Sequence, residues 1–398
     1  MNRKNFLGVL ACILVTSCTS YEEPTSSIES TLSKNNSDFV TLSEAMKDAE
    51  QVFSLVYESE KRSGLNIKDV QMLKSSTRSQ NDQNTHGYYI VNFENEGGFT
   101  ILSADKRKPR VCAISNSGSI HLSDTLVNRG LSWYLNVGLS DLIYDPNPKD
   151  TIVHEQVIFE TRKTTYSEPL MAGLLSNFHQ SLPYNKYCIF SSGSSKVGLT
   201  GCLPLAAGAI MGYYKWPESY GGYKFNWDAM NAIPYEDGWS KLFFYLGQNQ
   251  NFSVVYGEKF TGANPYRIPY VFNNFKYKNT KYEVFSFKTV TDELKSGHPI
   301  LCVGFPNNSI DGHAWIIDGG YQLWSNQGAP VPPSTEPTIL IDEYLHCVWG
   351  YGGKANGYFL YNGYLGGRPS GGSDDGSNES VTTFNKLFMG YGFSPDKN

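Results

Sequence analysis

The first periodic segment of the chain predicts a helix followed by a hairpin. Residues 41–44 read Thr-Leu-Ser-Glu, which matches the capping box that opens many helices. Apolar residues then recur at helical spacing on one face: Ala45, Ala49, Val52 and Val56. Farther on, the strand-like runs 88–93 and 99–105 flank Gly97-Gly98, which is typical of a hairpin turn. This part of the chain therefore predicts a small α+β unit.

A second pattern places a cysteine at the start of an apolar helix. Cys202 follows Thr200-Gly201 and precedes the run 203–211, whose apolar composition predicts a buried helix. A helix N-terminus carries unpaired backbone N–H groups and about half a positive charge, which stabilises a thiolate. Cys202 is therefore a candidate nucleophile. The competing interpretation is a small, buried, apolar side chain.

His313 is the candidate base for that thiol. Among the seven histidines it stands out because it opens a short apolar run that ends in the turn residues Asp318-Gly319-Gly320. A histidine at the mouth of a strand faces a cleft while its backbone stays rigid. His298, before a proline, and His346, within an apolar run, are interpreted as structural.

Five stretches in the second half of the chain carry a resemblance to a known family. They are 180–185 (QSLPYN), 200–217 (TGC to YYKWP), 223–227 (YKFNW), 312–319 (GHAWIIDG) and 349–359 (WGYGGKANGYF). In content and order they resemble the streptopain family of papain-like bacterial cysteine peptidases, which are made with an N-terminal inhibitory prodomain. The first half of the chain resembles that prodomain. The resemblance implies an α+β fold with a papain-like peptidase domain.

The resemblance also implies a role for each matching residue. Cys202 is the nucleophile, and His313 is the base that later protonates the leaving amine. Gln180 is the side-chain donor of the oxyanion hole, beside the backbone N–H of Cys202. Without the match of the residues that follow it, Gln180 would be interpreted as an ordinary amide in an exposed loop. Trp349 is expected to support the site by packing on the histidine side.

Val348 departs from the family pattern. The family places an asparagine just before the tryptophan that aligns with Trp349, and that asparagine orients the catalytic imidazole. Valine cannot hydrogen-bond the ring, so this side chain is missing from the site. If nothing else orients His313, Val348→Asn is expected to raise kcat/KM. If Val348 is a packed core residue, the same change is expected to lower stability.

Composition narrows the possible functions. The chain has 398 residues, 40% of them hydrophobic and 14% aromatic, which suffices for two packed domains. A formal net charge of −5 gives no electrostatic case for nucleic-acid binding. The basic run 106–110 reads as a solvated loop between strands. The sequence contains no H-E-x-x-H, no C-x-x-C and no phosphate-binding glycine loop, so neither a metal nor a cofactor is expected.

The N-terminus predicts export. Arg3 and Lys4 precede the apolar run 6–15, which is too short for an ordinary membrane span. The run leads into residues 15–18 (VTSC), which resemble a bacterial lipobox with Cys18 as the lipidated residue. An ordinary secretory signal is the alternative. We expect a lipid-anchored protein of the bacterial outer membrane or cell surface, and release after maturation stays open.

These observations give a domain plan and a function. The plan is a signal peptide 1–18, a polar tether 19–38, an inhibitory prodomain 39–150, an activation linker 151–168 and a peptidase domain 169–398. The expected protein is a self-inhibited zymogen of an endopeptidase that hydrolyses proteins or peptides through a Cys–His thioester. Two other functions stay open: a weakened or inactive homologue that binds peptides, and a Cys–His amidase or acyltransferase.

Overall fold

The computed structural model describes residues 21–22, 39–57, 66–73, 87–106, 108–122, 129–135, 139, 161–190, 196–233, 237–305, 312–325, 339–361 and 386–397. The signal peptide, nearly all of the tether and the first part of the linker, 151–160, lie outside these ranges. None of the helices within them has the length and apolar content needed to cross a membrane.

Seven α-helices and sixteen strands occur in the described residues. The helices are α1 (Leu42–Val56), α2 (Arg129–Trp133), α3 (Cys202–Tyr214), α4 (Trp227–Ala232), α5 (Asp237–Gly247), α6 (Ile268–Asn274) and α7 (Phe287–Lys295). The strands are β1 (Tyr21–Glu22), β2 (Ile67–Leu73), β3 (Tyr88–Phe93), β4 (Phe99–Ser103), β5 (Val111–Ser115), β6 (Thr161–Ser167), β7 (Ser219–Tyr220), β8 (Tyr223–Lys224), β9 (Tyr277–Lys278), β10 (Lys281–Val284), β11 (Ile300–Phe305), β12 (His313–Ser325), β13 (Ile339–Val348), β14 (Gly357–Leu360), β15 (Lys386–Tyr391) and β16 (Ser394–Pro395).

The predicted capping box opens α1. The Thr41 side chain accepts the backbone N–H of Glu44 at 3.3 Å, and the Glu44 carboxylate accepts the backbone N–H of Thr41 at 2.7 Å. All four residues of the predicted apolar face are buried: Ala45, Ala49, Val52 and Val56. The hairpin prediction is also confirmed, since β3 pairs antiparallel with β4.

One large antiparallel sheet runs through both halves of the chain. Its strand order is β1-β2-β3-β4-β5-β14-β13-β12-β11-β15-β10, and β6 pairs with β12 beside this path. The two halves meet where β5 pairs with β14, with Ala113 opposite Phe359 and Ile114 opposite Tyr358. The first half of the chain therefore extends the sheet of the second half as additional strands.

The two faces of this sheet are covered by different cores. Alternate residues of β12 point to opposite faces. Ala314 and Ile316 pack in a core with the apolar residues of α3, α5 and α6, whereas Trp315 and Ile317 pack in a core that also contains the buried face of α1. Strand β12 therefore carries His313 at its first residue between two packed layers.

Part of the predicted linker is a strand. Residues 161–167 form β6, which pairs with β12 between Ser325 and Gly320. The Lys163 ammonium donates to the carbonyl of Val56 at 2.7 Å and lies 5.1 Å from the ring centre of Tyr321. The site of activation cleavage stays a prediction, and β6 would remain paired with β12 after a cut N-terminal to it.

A buried acid–histidine pair anchors the segment that follows β6. Asp318 is fully buried; its Oδ1 lies 2.6 Å from Nδ1 of His346, and its Oδ2 accepts the N–H of Met171 at 2.7 Å. A buried carboxylate needs such partners to offset its desolvation. His346 is therefore structural, as its place in an apolar run indicated.

The basic run 106–110 is less solvated than the sequence suggested. It connects β4 to β5, but Lys108 is only 6% exposed and its ammonium donates to the hydroxyl of Tyr88 at 3.2 Å. Arg110 pairs with Asp48 of α1. The expectation of a solvated loop is wrong because these cations anchor α1 and β3 to the sheet.

Candidate active site

Cys202 is the first residue of α3. Its N-cap, Gly201, has φ of 93°, a backbone conformation that favours glycine, and the chain turns there directly into the helix. Residues 203–212 are all buried, so α3 is fixed by packing while the Cys202 side chain stays half-buried. The N–H of Ala314 donates to Sγ of Cys202 at 3.4 Å. This contact places the thiol beside the first two residues of strand β12.

Cys202 differs from the other cysteines that the structure describes. All five are free thiols, and the remaining four are buried: Cys112, Cys188, Cys302 and Cys347. Burial raises the pKa of Cys188 to about 11, and burial also raises the pKa of Cys112 and Cys302. Thiols that stay protonated are poor nucleophiles. Within this set, Cys202 is therefore the candidate for thiol chemistry.

His313 begins β12 and is nearly buried, with 4% of its surface exposed. Its Nε2 lies 3.0 Å from the carbonyl oxygen of Trp349. A carbonyl can only accept, so Nε2 carries the hydrogen and Nδ1 is the nitrogen that can take a proton. The ring also lies nearly parallel to that of Trp315, with the centres 6.2 Å apart.

A backbone carbonyl therefore makes the bond that the missing asparagine would make. Trp349 is fully buried, and its ring packs on Trp315 and edge-on against Phe359. The preceding residue, Val348, is 3% exposed and lies opposite Ile316 in the apolar core on the α3 side of the sheet. The departure at Val348 removes a side chain but leaves His313 with an acceptor at Nε2.

We expect Val348→Asn to lower stability by about 1–3 kcal/mol, the cost of burying an unpaired amide, without raising kcat/KM. The reason is that His313 already has its acceptor and the valine site is apolar. Urea unfolding monitored by tryptophan fluorescence measures the first effect, and peptide hydrolysis the second. Val348→Ala controls for lost packing alone. A more active and equally stable Val348→Asn protein would show that the Trp349 carbonyl does not suffice.

Gln180 reaches the same cleft from the other side. Its backbone carbonyl accepts the N–H of Thr200 at 2.9 Å and the Thr200 hydroxyl at 3.2 Å, which ties it to the residues just before Cys202. Its half-buried side chain lines a cleft of about 700 Å³ together with Cys202 and His313. The structure thus brings the three predicted residues to one cleft, and the oxyanion role of Gln180 stays a prediction.

A smaller pocket adjoins Cys202 and shares several lining residues with the larger cleft. It has a volume of about 170 Å³ and is lined mainly by apolar residues: Leu203, Phe260, Ala263, Pro265, Val303 and Phe305. Phe260 borders both this pocket and the larger cleft and is 61% exposed. Such a pocket has the size and the lining to hold an apolar group next to the thiol.

Three residues around the cleft had no assigned role in the sequence. His179, next to Gln180, lines the cleft, and burial lowers its pKa. Gly130 of α2 lies against His313 and Trp349: a Cβ there would be 2.7 Å from Cδ2 of His313. Asn356 hydrogen-bonds to the backbone of Trp349. A single sequence gives no periodic signal for such contacts, because each is made by residues distant along the chain.

Comparison with known proteins agrees with this architecture. Residues 178–359 match the Peptidase C10 family, and residues 37–137 match the Spi protease inhibitor family. Streptopain from Streptococcus pyogenes is 23% identical over 336 residues, which cover 68% of this chain and 73% of streptopain. The thiol protease/hemagglutinin PrtT from Porphyromonas gingivalis is 24% identical over 343 residues, but only 35% of its length is covered.

A solved structure shares the fold. Prointerpain A from Prevotella intermedia matches with a TM-score of 0.51 and 17% identity, covering 82% of this chain and 98% of that one. The helical layer, the antiparallel sheet and the Cys–His cleft define a cysteine peptidase of the papain-like class. The second half of the chain matches the Peptidase C10 family and the first half matches an inhibitor-type prodomain, which confirms the predicted family, fold class and enzyme class.

Proposed function

We propose that this protein is an endopeptidase zymogen in which Cys202 and His313 cleave peptide bonds through a thioester. One observation supports this most directly. Sγ of Cys202 accepts the N–H of Ala314, the residue next to His313, at 3.4 Å, so the thiol and the imidazole border the same cleft. A Cys–His pair at the start of a helix and a strand is suited to nucleophilic catalysis.

The proposed reaction has two halves. Nδ1 of His313 takes the thiol proton, and the thiolate adds to the scissile carbonyl carbon. The oxyanion accepts hydrogen bonds from the Gln180 amide and the backbone N–H of Cys202. The C–N bond then breaks, the imidazolium gives its proton to the leaving amine, and a thioester remains. Water, deprotonated by His313, adds to the thioester and releases the acid and the thiol.

The prodomain supports the zymogen part of the proposal. Ser119, Ile120 and Leu131 of the inhibitor-like half line the same cleft as Cys202. Leu131 is 1% exposed and belongs to the short helix α2, whose Gly130 lies against His313. A substrate could not occupy this part of the cleft while α2 is in place. Removal of the prodomain would open it.

The function is tested by chemical labelling. An epoxide thiol inhibitor is expected to modify Cys202 and no other cysteine of the processed protein. Casein hydrolysis should fall in proportion to the fraction of Cys202 that is labelled. Mass spectrometry of peptides locates the label. Hydrolysis that survives complete labelling of Cys202 would refute the mechanism. Activity on a single small amide would favour an amidase, and peptide binding without hydrolysis an inactive homologue.

We further propose that the protein is exported and anchored through Cys18. The support is the sequence alone: two basic residues, an apolar run and a cysteine in a lipobox-like context. A radiolabelled fatty acid fed to the producing bacterium is expected to label the wild type and not Cys18→Ala. Cys12→Ala is the control, because Cys12 lies within the apolar run. Absence of label from both the wild type and Cys18→Ala would leave an ordinary secretory signal as the explanation, and equal labelling of both would show that Cys18 does not carry the lipid.

A further inference from the structure

The Trp349 backbone is held on both sides of its Cα. Its carbonyl accepts the hydrogen of His313 Nε2 at 3.0 Å, and its N–H donates to Oδ1 of Asn356 at 3.1 Å. Asn356 is 7% exposed and stands just before β14. Its side chain therefore fixes the peptide unit next to the one that carries the acceptor for the imidazole.

Asn356 also reaches toward the Gln180 side of the cleft. Its Nδ2 donates to the carbonyl of Ser176 at 2.8 Å, four residues before Gln180 along the chain. The N–H of Gly352 donates to the carbonyl of Phe178 at 2.8 Å beside it. One amide side chain thus joins the loop that follows Trp349 to the segment that leads into Gln180.

The loop itself supplies little rigidity. Gly350, Gly352 and Gly353 have φ of 79°, 70° and 79°, so this loop relies on residues with wide conformational freedom. The orientation of the Trp349 carbonyl must then come from its anchors. A buried amide with both its acceptor and its donor paired is a strong anchor, because leaving either group unpaired is costly.

We propose that Asn356 is a positioning residue for His313. It acts indirectly: it holds the Trp349 backbone, and the Trp349 carbonyl orients the imidazole, as an asparagine side chain at position 348 would do directly. The inference rests on the proposed roles of Cys202 and His313. Its operative contact is the acceptor Oδ1, whereas the bond from Nδ2 to Ser176 serves mainly stability.

The test compares Asn356→Ala with Asn356→Asp. Alanine removes both bonds, and kcat is expected to fall about ten-fold with little change in KM, a part of the roughly 10²–10⁴-fold that positioned acid–base catalysis contributes. Aspartate keeps the acceptor for Trp349 N–H and is expected to recover most of that loss. Both variants are expected to have a lower Tm than the wild type, because both lose the donor to Ser176.

The pH dependence of Cys202 alkylation by iodoacetamide gives a second readout. A weaker hydrogen bond at Nε2 destabilises the imidazolium and with it the thiolate that it pairs with, so fast alkylation should begin at a higher pH in Asn356→Ala and not in Asn356→Asp. The other titratable groups facing this cleft are unchanged in both variants: His179, Glu258, Lys259, Tyr351 and Lys354. Asn251→Ala is the matched control, since Asn251 is fully buried, donates to the Tyr245 carbonyl at 2.7 Å and does not line the cleft.

Histidine NMR on the full chain separates this inference from the proposed function. With ¹⁵N-labelled histidine, the Nε2–H resonance of His313 is expected to shift or broaden in Asn356→Ala, whether or not the protein hydrolyses peptides. That shift in a protein without Cys202-dependent hydrolysis would support the positioning and refute the function. The inference would be overturned if Asn356→Ala had the same kcat, the same pH dependence of Cys202 alkylation and the same His313 Nε2–H resonance as the wild type. Asn356→Ser replaces the alanine variant if alanine prevents folding.

Discussion

Cys202→Ala is expected to abolish peptide-bond hydrolysis and to stop self-processing of the full-length chain. The variant has no sulfur to form the acyl intermediate, and loss of a nucleophile of this kind typically costs on the order of 10⁵–10⁶ in kcat. His313→Ala is expected to be about as damaging. The double variant should lose no more than either single one, because the pair acts as a unit. Casein hydrolysis and gel analysis of the purified precursor measure both effects.

Cys188→Ala is the matched control for that experiment. Cys188 is also a free thiol in the peptidase half, but it is buried, and burial raises its pKa to about 11. This variant should retain activity and processing once its stability has been taken into account. Normal maturation of purified Cys202→Ala in the absence of any other protease would contradict the assignment of the nucleophile.

Gly130→Val is expected to weaken the block that the prodomain places on the active site. At this position α2 approaches so closely that a Cβ would lie 2.7 Å from Cδ2 of His313 and also contact the Trp349 ring. Trp349 is fully buried and His313 nearly so, and neither ring can move far within its packed layer. The added side chain must therefore displace α2. We expect faster self-processing and labelling of Cys202 by an epoxide inhibitor in the uncleaved chain.

The size series Gly130→Ala and Gly130→Val sharpens this prediction. Labelling of the uncleaved chain should increase with the volume of the side chain, while thermal melting should show the rest of the prodomain still folded. The Cys202→Ala background keeps the chain uncleaved for the melting measurement. Equal protection of Cys202 in all three proteins would mean that α2 does not cover the site.

Sequence patterns that span only a few residues predicted the starts of several elements correctly. The Thr41 capping box, the start of α3 at Cys202 and the start of β12 at His313 each depend on residues within a few positions of one another. The expectation for 106–110 failed for the opposite reason. Lys108 is buried by contacts with β3, and a run of charges carries no information about a distant tyrosine such as Tyr88.

The orientation of His313 could not have been derived from side-chain types. Its acceptor is the main-chain carbonyl of Trp349, and every residue has such a group. Likewise, the pairing of β5 with β14 joins residues more than 200 positions apart, and no local pattern encodes that register.

The pairing of β5 with β14 determines how easily the prodomain dissociates from the rest of the protein after cleavage. It consists of two residue pairs, Ala113 with Phe359 and Ile114 with Tyr358, supplemented by contacts of the shared core. In the intact chain the two halves face each other at a high local concentration, roughly millimolar for a short connection. A cut before β6 makes them separate molecules, whose association then depends on how far they are diluted. Two domains joined in this way would stay associated at high protein concentration after the cut and would separate on dilution.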